Sequence, residues 1–167
     1  MGVTKVADWS ELDAALDVAF AEDRTALIEA AIGGREIECA VLEGRDGAPA
    51  RVSVAGEVVV TGREFYDFEA KYLDAPGVEL ICPADLGDGE LFELQRIARH
   101  AFEAIGGAGL ARVDFFLGGG GFVVNEINTM PGFTPISMFP TCWLQTGLSY
   151  PELIDELIQV GHARGAR

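Results

Sequence analysis

The sequence is poor in positive charge, in cysteine and in histidine, and each shortage removes a class of function. Twelve lysines and arginines stand against 27 aspartates and glutamates, a formal net charge of −15 over 167 residues. Such a surface repels a phosphate backbone, which argues against nucleic acid and anionic membranes as partners. An anionic small molecule would need a few placed cations or metal ions. The three cysteines, Cys39, Cys82 and Cys142, include no C-x-x-C pair, so they read as reduced structural thiols rather than zinc ligands or a disulfide framework. His100 and His162 lie in separate helical patterns and read as surface or cap residues. No apolar run reaches membrane-spanning length, and the first residues lack a signal-peptide pattern. A soluble, cytoplasmic protein is the expectation.

Apolar residues are plentiful. A hydrophobic fraction of 49% over this length suffices for one domain, or two small lobes, with a real core. Periodicity predicts a helix over 11–20 capped by Ser10, then a short strand over 25–29. Gly33 and Gly34 lead into an antiparallel strand over 35–43 with Ile37, Cys39 and Val41 inward. Further strands are expected over 51–61, bent at Ala55-Gly56, and over 79–82. A helix over 90–105, capped by Asp88, buries Leu91, Leu94, Ile97, Ala98, Ala101 and Phe102 and stops at Gly106-Gly107. Residues 129–141 contain three prolines and read as an irregular loop, and a last helix spans 149–160. Glu29 and Glu36, near the Gly-Gly connection, are by themselves ordinary edge charges. Residues 62–73 crowd four aromatics around Lys71 with no clean period, the pattern of a functional mobile loop with Lys71 as a phosphate or substrate contact.

The stretch over 112–132, R-V-D-F-F-L-G-G-G-G-F-V-V-N-E-I-N-T-M-P-G, is the most informative. Two apolar runs separated by four glycines predict a β-hairpin. Side chains two apart share a strand face, so Arg112 goes with Asp114 and Glu126 with Asn128, while Val113, Phe115 and Ile127 face a core. Asp114 stands beside Glu126 only if paired numbers sum to an even value, which calls for a connection of roughly three or five residues rather than two. Two carboxylates and an amide are hard oxygen donors suited to Mg²⁺ with waters and substrate phosphates. Zinc would want His or Cys there, and a calcium loop would pack its acids within about a dozen residues.

R-V-D, then E-I-N-T-M-P-G-F-T and S-M, with F-Y-D-F-E-A-K-Y-L and L-I-E-A…G-R-E upstream, resemble the carboxyl-terminal part of the D-alanine–D-alanine ligase family of the ATP-grasp superfamily. The resemblance covers nearly the whole chain. It implies an α+β, ATP-grasp-like fold, a mostly antiparallel sheet with packed helices. Residues 1–45 would be part of a small central lobe, and 46–167 a carboxyl-terminal lobe bearing mobile loop 62–73 and metal-binding hairpin 111–128. It further implies that Asp114, Glu126 and Asn128 hold two Mg²⁺ ions (Mn²⁺ being an alternative) and that Lys71, Glu29, Glu36 and Phe65 bind ATP. Arg112 and the backbone N–H of Gly132 would stabilise an oxyanion, Ser137 would bind the second D-alanine and Tyr72 would help close the site. The implied activity is ATP-dependent joining of two D-alanines through an acyl phosphate for peptidoglycan synthesis, in a protein that is a homodimer at full length. The resemblance also implies that an amino-terminal domain lies outside these residues, so this chain alone is expected to be catalytically incomplete. Another ATP-grasp carboxylate–amine ligase and a non-catalytic nucleotide-binding module are the competing readings.

Overall fold

The structure, a computed structural model, describes residues 2–60 and 77–165. Phe65, Lys71, Tyr72 and the rest of the expected loop over 62–73 lie outside the described residues. The chain divides into two compact units, residues 1–32 and 33–167.

The first unit holds a 3-10 turn, Trp9–Glu11, running into helix α1 (Leu12–Glu22). The cap is Asp8, whose carboxylate accepts from the Ser10 N–H at 2.9 Å and from its hydroxyl at 2.6 Å. Ser10, the expected cap, is therefore already inside the first turn. The strand expected over 25–29 does not form; these residues have no regular structure, and Leu27 and Ile28 are exposed. A strand needs a ladder neighbour for its N–H and C=O groups, and the described residues of this unit contain no other strand.

The second unit is built on a five-stranded, fully antiparallel sheet: β1 (Arg35–Leu42), β2 (Arg51–Val60), β3 (Val78–Ile81), β4 (Leu110–Gly118) and β5 (Gly121–Asn128), in the order β3-β2-β1-β4-β5. Strand β1 is central and buried on both faces. Its odd-numbered residues Ile37, Cys39 and Val41, with Ala111, Val113 and Phe115 of β4, pack against Leu94, Ala98 and Phe102 of helix α2 (Asp88–Ala104). Those three recur every fourth residue, one stripe of a helix. Glu90 folds back so that its carboxylate accepts from the Gly87 N–H at 2.9 Å, which puts the cap one residue before the expected Asp88. Gly106, at φ +65°, ends the helix in the left-handed conformation that favours glycine.

The even-numbered face is covered by two helices, α3 (Met138–Gln145) and α4 (Tyr150–Gly165). Ala40, Leu42 and Val58 meet Met138, Phe139, Cys142, Trp143 and Leu153 there. The loop expected through residue 141 is thus cut short: the helix begins at Met138 and admits Pro140 in its first turn, where a missing N–H removes no helical bond. A bulge in the β1–β2 ladder falls between Cys39 and Val41, and the Ala40 N–H it leaves over donates to buried Ser53 Oγ at 2.9 Å.

The α3 helix covers only part of this face. Where it ends, Glu36, Glu38, Arg112 and Asp114 take over from the apolar residues.

Candidate functional site

In the hairpin, Arg112 pairs with Asn128, Val113 with Ile127 and Asp114 with Glu126. The shared face predicted from the sequence is present, but the means differ. The connection is only Gly119-Gly120, with Gly118 opposite Gly121. The paired numbers sum to an odd value as far as Phe115 and Val124, and Asn125 is an extra residue that shifts them to an even value at Asp114. A two-residue turn and an even register are reconciled by a β-bulge.

Asp114 sits at the centre of the polar cluster and is 6% exposed. Arg112 clasps it with two bonds, Nε donating to Oδ1 at 2.7 Å and Nη2 to Oδ2 at 2.8 Å. Asn128 Nδ2 donates to Oδ2 at 3.0 Å. Glu38, on β1 directly across from Asp114, brings Oε2 to 3.1 Å from Arg112 Nε. Sequence reading passed over Glu38, although it lies two residues after Glu36 on the same strand face; its pairing with β4 is what reveals its place. Glu36 pairs with Phe116 and shares that face, and Glu126 is exposed at its rim.

Glu36, Glu38, Asp114 and Glu126 therefore set four carboxylates against the Arg112 guanidinium on one surface. Carboxylate oxygens gathered in this way offer hard donors to a cation. Among the described residues, no three His, Cys, Asp or Glu side chains are gathered closely enough to hold a metal ion. A cation here would take part of its coordination from Asn128, water and a bound anion, which is the habit of Mg²⁺ rather than of zinc or calcium. The donors fit: each oxygen of a carboxylate has two lone pairs, and half a turn of the Asn128 amide exchanges its nitrogen for its oxygen.

The segment after β5 brings a second pair of expected residues together. A methyl group on Gly132 would fall 2.9 Å from Ser137 Oγ. Ser137 caps α3, and its Oγ accepts from the Thr134 N–H at 3.0 Å and lies 2.8 Å from Thr134 Oγ1. Phe133 anchors the segment: its ring lies 5.5 Å from Phe139 and 5.6 Å from Tyr150, whose hydroxyl donates to the Phe133 carbonyl at 3.0 Å. Glu29 is placed differently. It is exposed in the irregular stretch of the first unit.

Residues 1–159 match the family described as D-ala D-ala ligase C-terminus. The chain belongs to that family. It is 53% identical to a D-alanine–D-alanine ligase of Kineococcus radiotolerans, an alignment covering 98% of this chain and 45% of that protein. Among solved structures, a VanG D-Ala:D-Ser ligase from Enterococcus faecalis is similar with a TM-score of 0.81 and 36% identity, over 95% of this chain and 45% of that one. A D-alanine–D-alanine ligase from Bacillus anthracis complexed with ATP has a TM-score of 0.79 and 27% identity, over 100% of this chain and 53% of that one. The chain thus spans about half the length of the relatives it matches. The α+β fold is that of these solved ligases. Among the described residues, no helix is long and apolar enough to cross a membrane.

Proposed function

We propose that these residues form the ATP- and magnesium-binding part of a ligase that joins two D-alanines in the cytoplasm for peptidoglycan precursor synthesis. The observation that carries this reading is the register of the hairpin, which places Asp114 beside Glu126 and Arg112 beside Asn128 on one face.

Asp114, Glu126 and Asn128 would hold two Mg²⁺ ions, with Mn²⁺ as a substitute. When bound, these ions would neutralise phosphate charge during transfer of the γ-phosphoryl group to the first substrate's carboxylate. Arg112, held by Glu38 and Asp114, keeps a fixed guanidinium at the edge of the face, suited to the oxyanion that forms when the second amine attacks. The N–H of Gly132 would be the second donor. Ser137, at the N-terminus of α3, would receive the second substrate's carboxylate where the helix dipole favours an anion. Glu29, Glu36, Phe65 and Lys71 are proposed for the nucleotide, Tyr72 for closing the site, and residues 1–45 for part of the central lobe. The whole protein is proposed to act as a homodimer.

Positioning supplies most of the rate in such a reaction, and this chain covers 45% of its Kineococcus relative. The 167 residues alone are accordingly proposed to bind Mg-ATP weakly without turning over. Calorimetry with Mg-ATP, followed by a D-alanine-dependent phosphate-release assay, tests both parts. Phosphate release by the isolated chain refutes its incompleteness, and absence of Mg-ATP binding with hairpin variants behaving like the parent refutes the site. The similarity to a D-Ala:D-Ser ligase makes D-serine a second amine to include in the assay of the whole ligase.

A further inference from the structure

Cys82 and Cys142 are separated by 60 positions in sequence and meet in space, their Sγ atoms 3.8 Å apart. Both are free thiols. Cys82 follows β3 directly and is half-buried; Cys142 lies within α3 and is fully buried among Met138, Phe139 and Trp143. Their spacing in sequence gives no hint of this, because strand and helix converge only through the packing on the even face of the sheet.

We propose that Cys82 and Cys142 form a reactive dithiol that a low-molecular-weight disulfide converts into an intramolecular disulfide, with Cys82 as the point of entry. The two sulfurs differ in access and in ionisation. The interaction with Cys142 holds the Cys82 thiol below the usual thiol range, whereas that same contact and burial push Cys142 well above it. Cys82 is therefore both the more exposed sulfur and the one that more readily becomes a thiolate, the nucleophilic form.

The Cys82 thiolate attacks one sulfur of the small disulfide, forming a mixed disulfide and releasing the other half as a thiolate. Cys142 passes its proton to that released thiolate, and its sulfur attacks Cys82 Sγ to expel the remaining half. In total, two protein thiols lose two electrons and two protons, and the small disulfide becomes two small thiols. The sulfurs have to close from 3.8 Å to about 2.05 Å. Because Ser137 caps that helix, the bond ties the segment after β3 to the element that carries Ser137.

The test is intact-mass and peptide analysis of the folded chain after exposure to glutathione disulfide. The expected product loses two hydrogens and joins the peptides of Cys82 and Cys142, leaving Cys39 free; dithiothreitol restores the starting mass. Cys142→Ser should keep one glutathione on Cys82, and Cys82→Ser should stay unmodified. A parent chain that stops at a stable glutathione adduct, that links Cys39, or that does not react while folded would overturn the proposal. The parent measurement decides the matter even if a variant folds poorly, and none of these readouts depends on ligase activity.

Discussion

Glu38 and Arg112, on adjacent strands, form a 3.1 Å ion pair with side chains only 7% and 11% exposed, and the same guanidinium is doubly bonded to Asp114. Three charged groups are thereby locked into one geometry under little solvent. A cation held this rigidly costs no reorganisation when negative charge develops nearby. In the whole ligase, Arg112→Ala should lower kcat about 10²- to 10³-fold while leaving the Kd for Mg-ATP unchanged. Equal loss of turnover and nucleotide binding would sink that division of labour.

Glu38 should act through Arg112 rather than on substrate. Glu38→Gln keeps an acceptor and should lower kcat with little change in the KM for ATP, whereas Glu38→Ala should also cost about 1–3 kcal/mol in urea unfolding. Glu38→Ala with parental kcat would show that Asp114 alone positions the guanidinium.

Gly56 faces Met138 so closely that a methyl group there would overlap the Met138 sulfur and lie 3.1 Å from its Cγ. Gly56→Ala should therefore force the Met138 side chain to repack and destabilise the chain by about 1–3 kcal/mol, the usual cost of overpacking. Chemical denaturation gives the value. A shift of the Ser137 amide resonance should accompany it.

Arg35 and Glu57 make a two-bond pair at 2.8 and 2.6 Å, and that bonding holds the Glu57 carboxyl below the usual glutamate value. A carboxyl with a depressed folded pKa adds stability that is full above its unfolded pKa and is lost as pH falls through its folded pKa. The stability gap between the parent and Glu57→Gln should consequently be widest near about pH 7 and narrow by about pH 3. A gap that stays constant across that range would mean the charge contributes nothing.

Ser137→Ala should raise the KM for the second D-alanine in the whole ligase with a smaller effect on ATP. It should also disturb the turn, since the Thr134 N–H would lose its acceptor at 3.0 Å. Initial-rate kinetics in each substrate separate the two effects. A change confined to the ATP KM would move Ser137 out of the amine site.

Much of this architecture is legible in local patterns. Leu94, Ala98 and Phe102 announce α2 by spacing, and alternation in β1 and β4 sorts Ile37, Val113 and Phe115 from Arg112 and Asp114. Contacts distant in sequence are not legible in this way. Glu38 becomes a site residue only when β1 lies beside β4, and the Cys82–Cys142 contact exists only because α3 folds onto the sheet near the end of β3. Residues 25–29 show the converse: strand-like composition without a partner strand yields no strand. Pro140 misleads because a proline reads as a helix breaker until its place in the first turn is known.

Asn125 gives the hairpin two counting frames. The outer frame runs from Gly118 and Gly121 to Phe115 and Val124, the inner one from Asp114 and Glu126 to Arg112 and Asn128, and β1 pairs with β4 along both, Ile37 with Phe115 and Glu38 with Asp114. Removing Asn125 would leave Glu126 next in line after Val124 and still opposite Asp114. The spare residue works like a compensating frameshift: one position gained or lost in the glycine turn can be cancelled at the bulge before it reaches the charged face. Descendants of this sequence are therefore free to vary the length of the glycine turn while Asp114 and Glu126 keep their partnership.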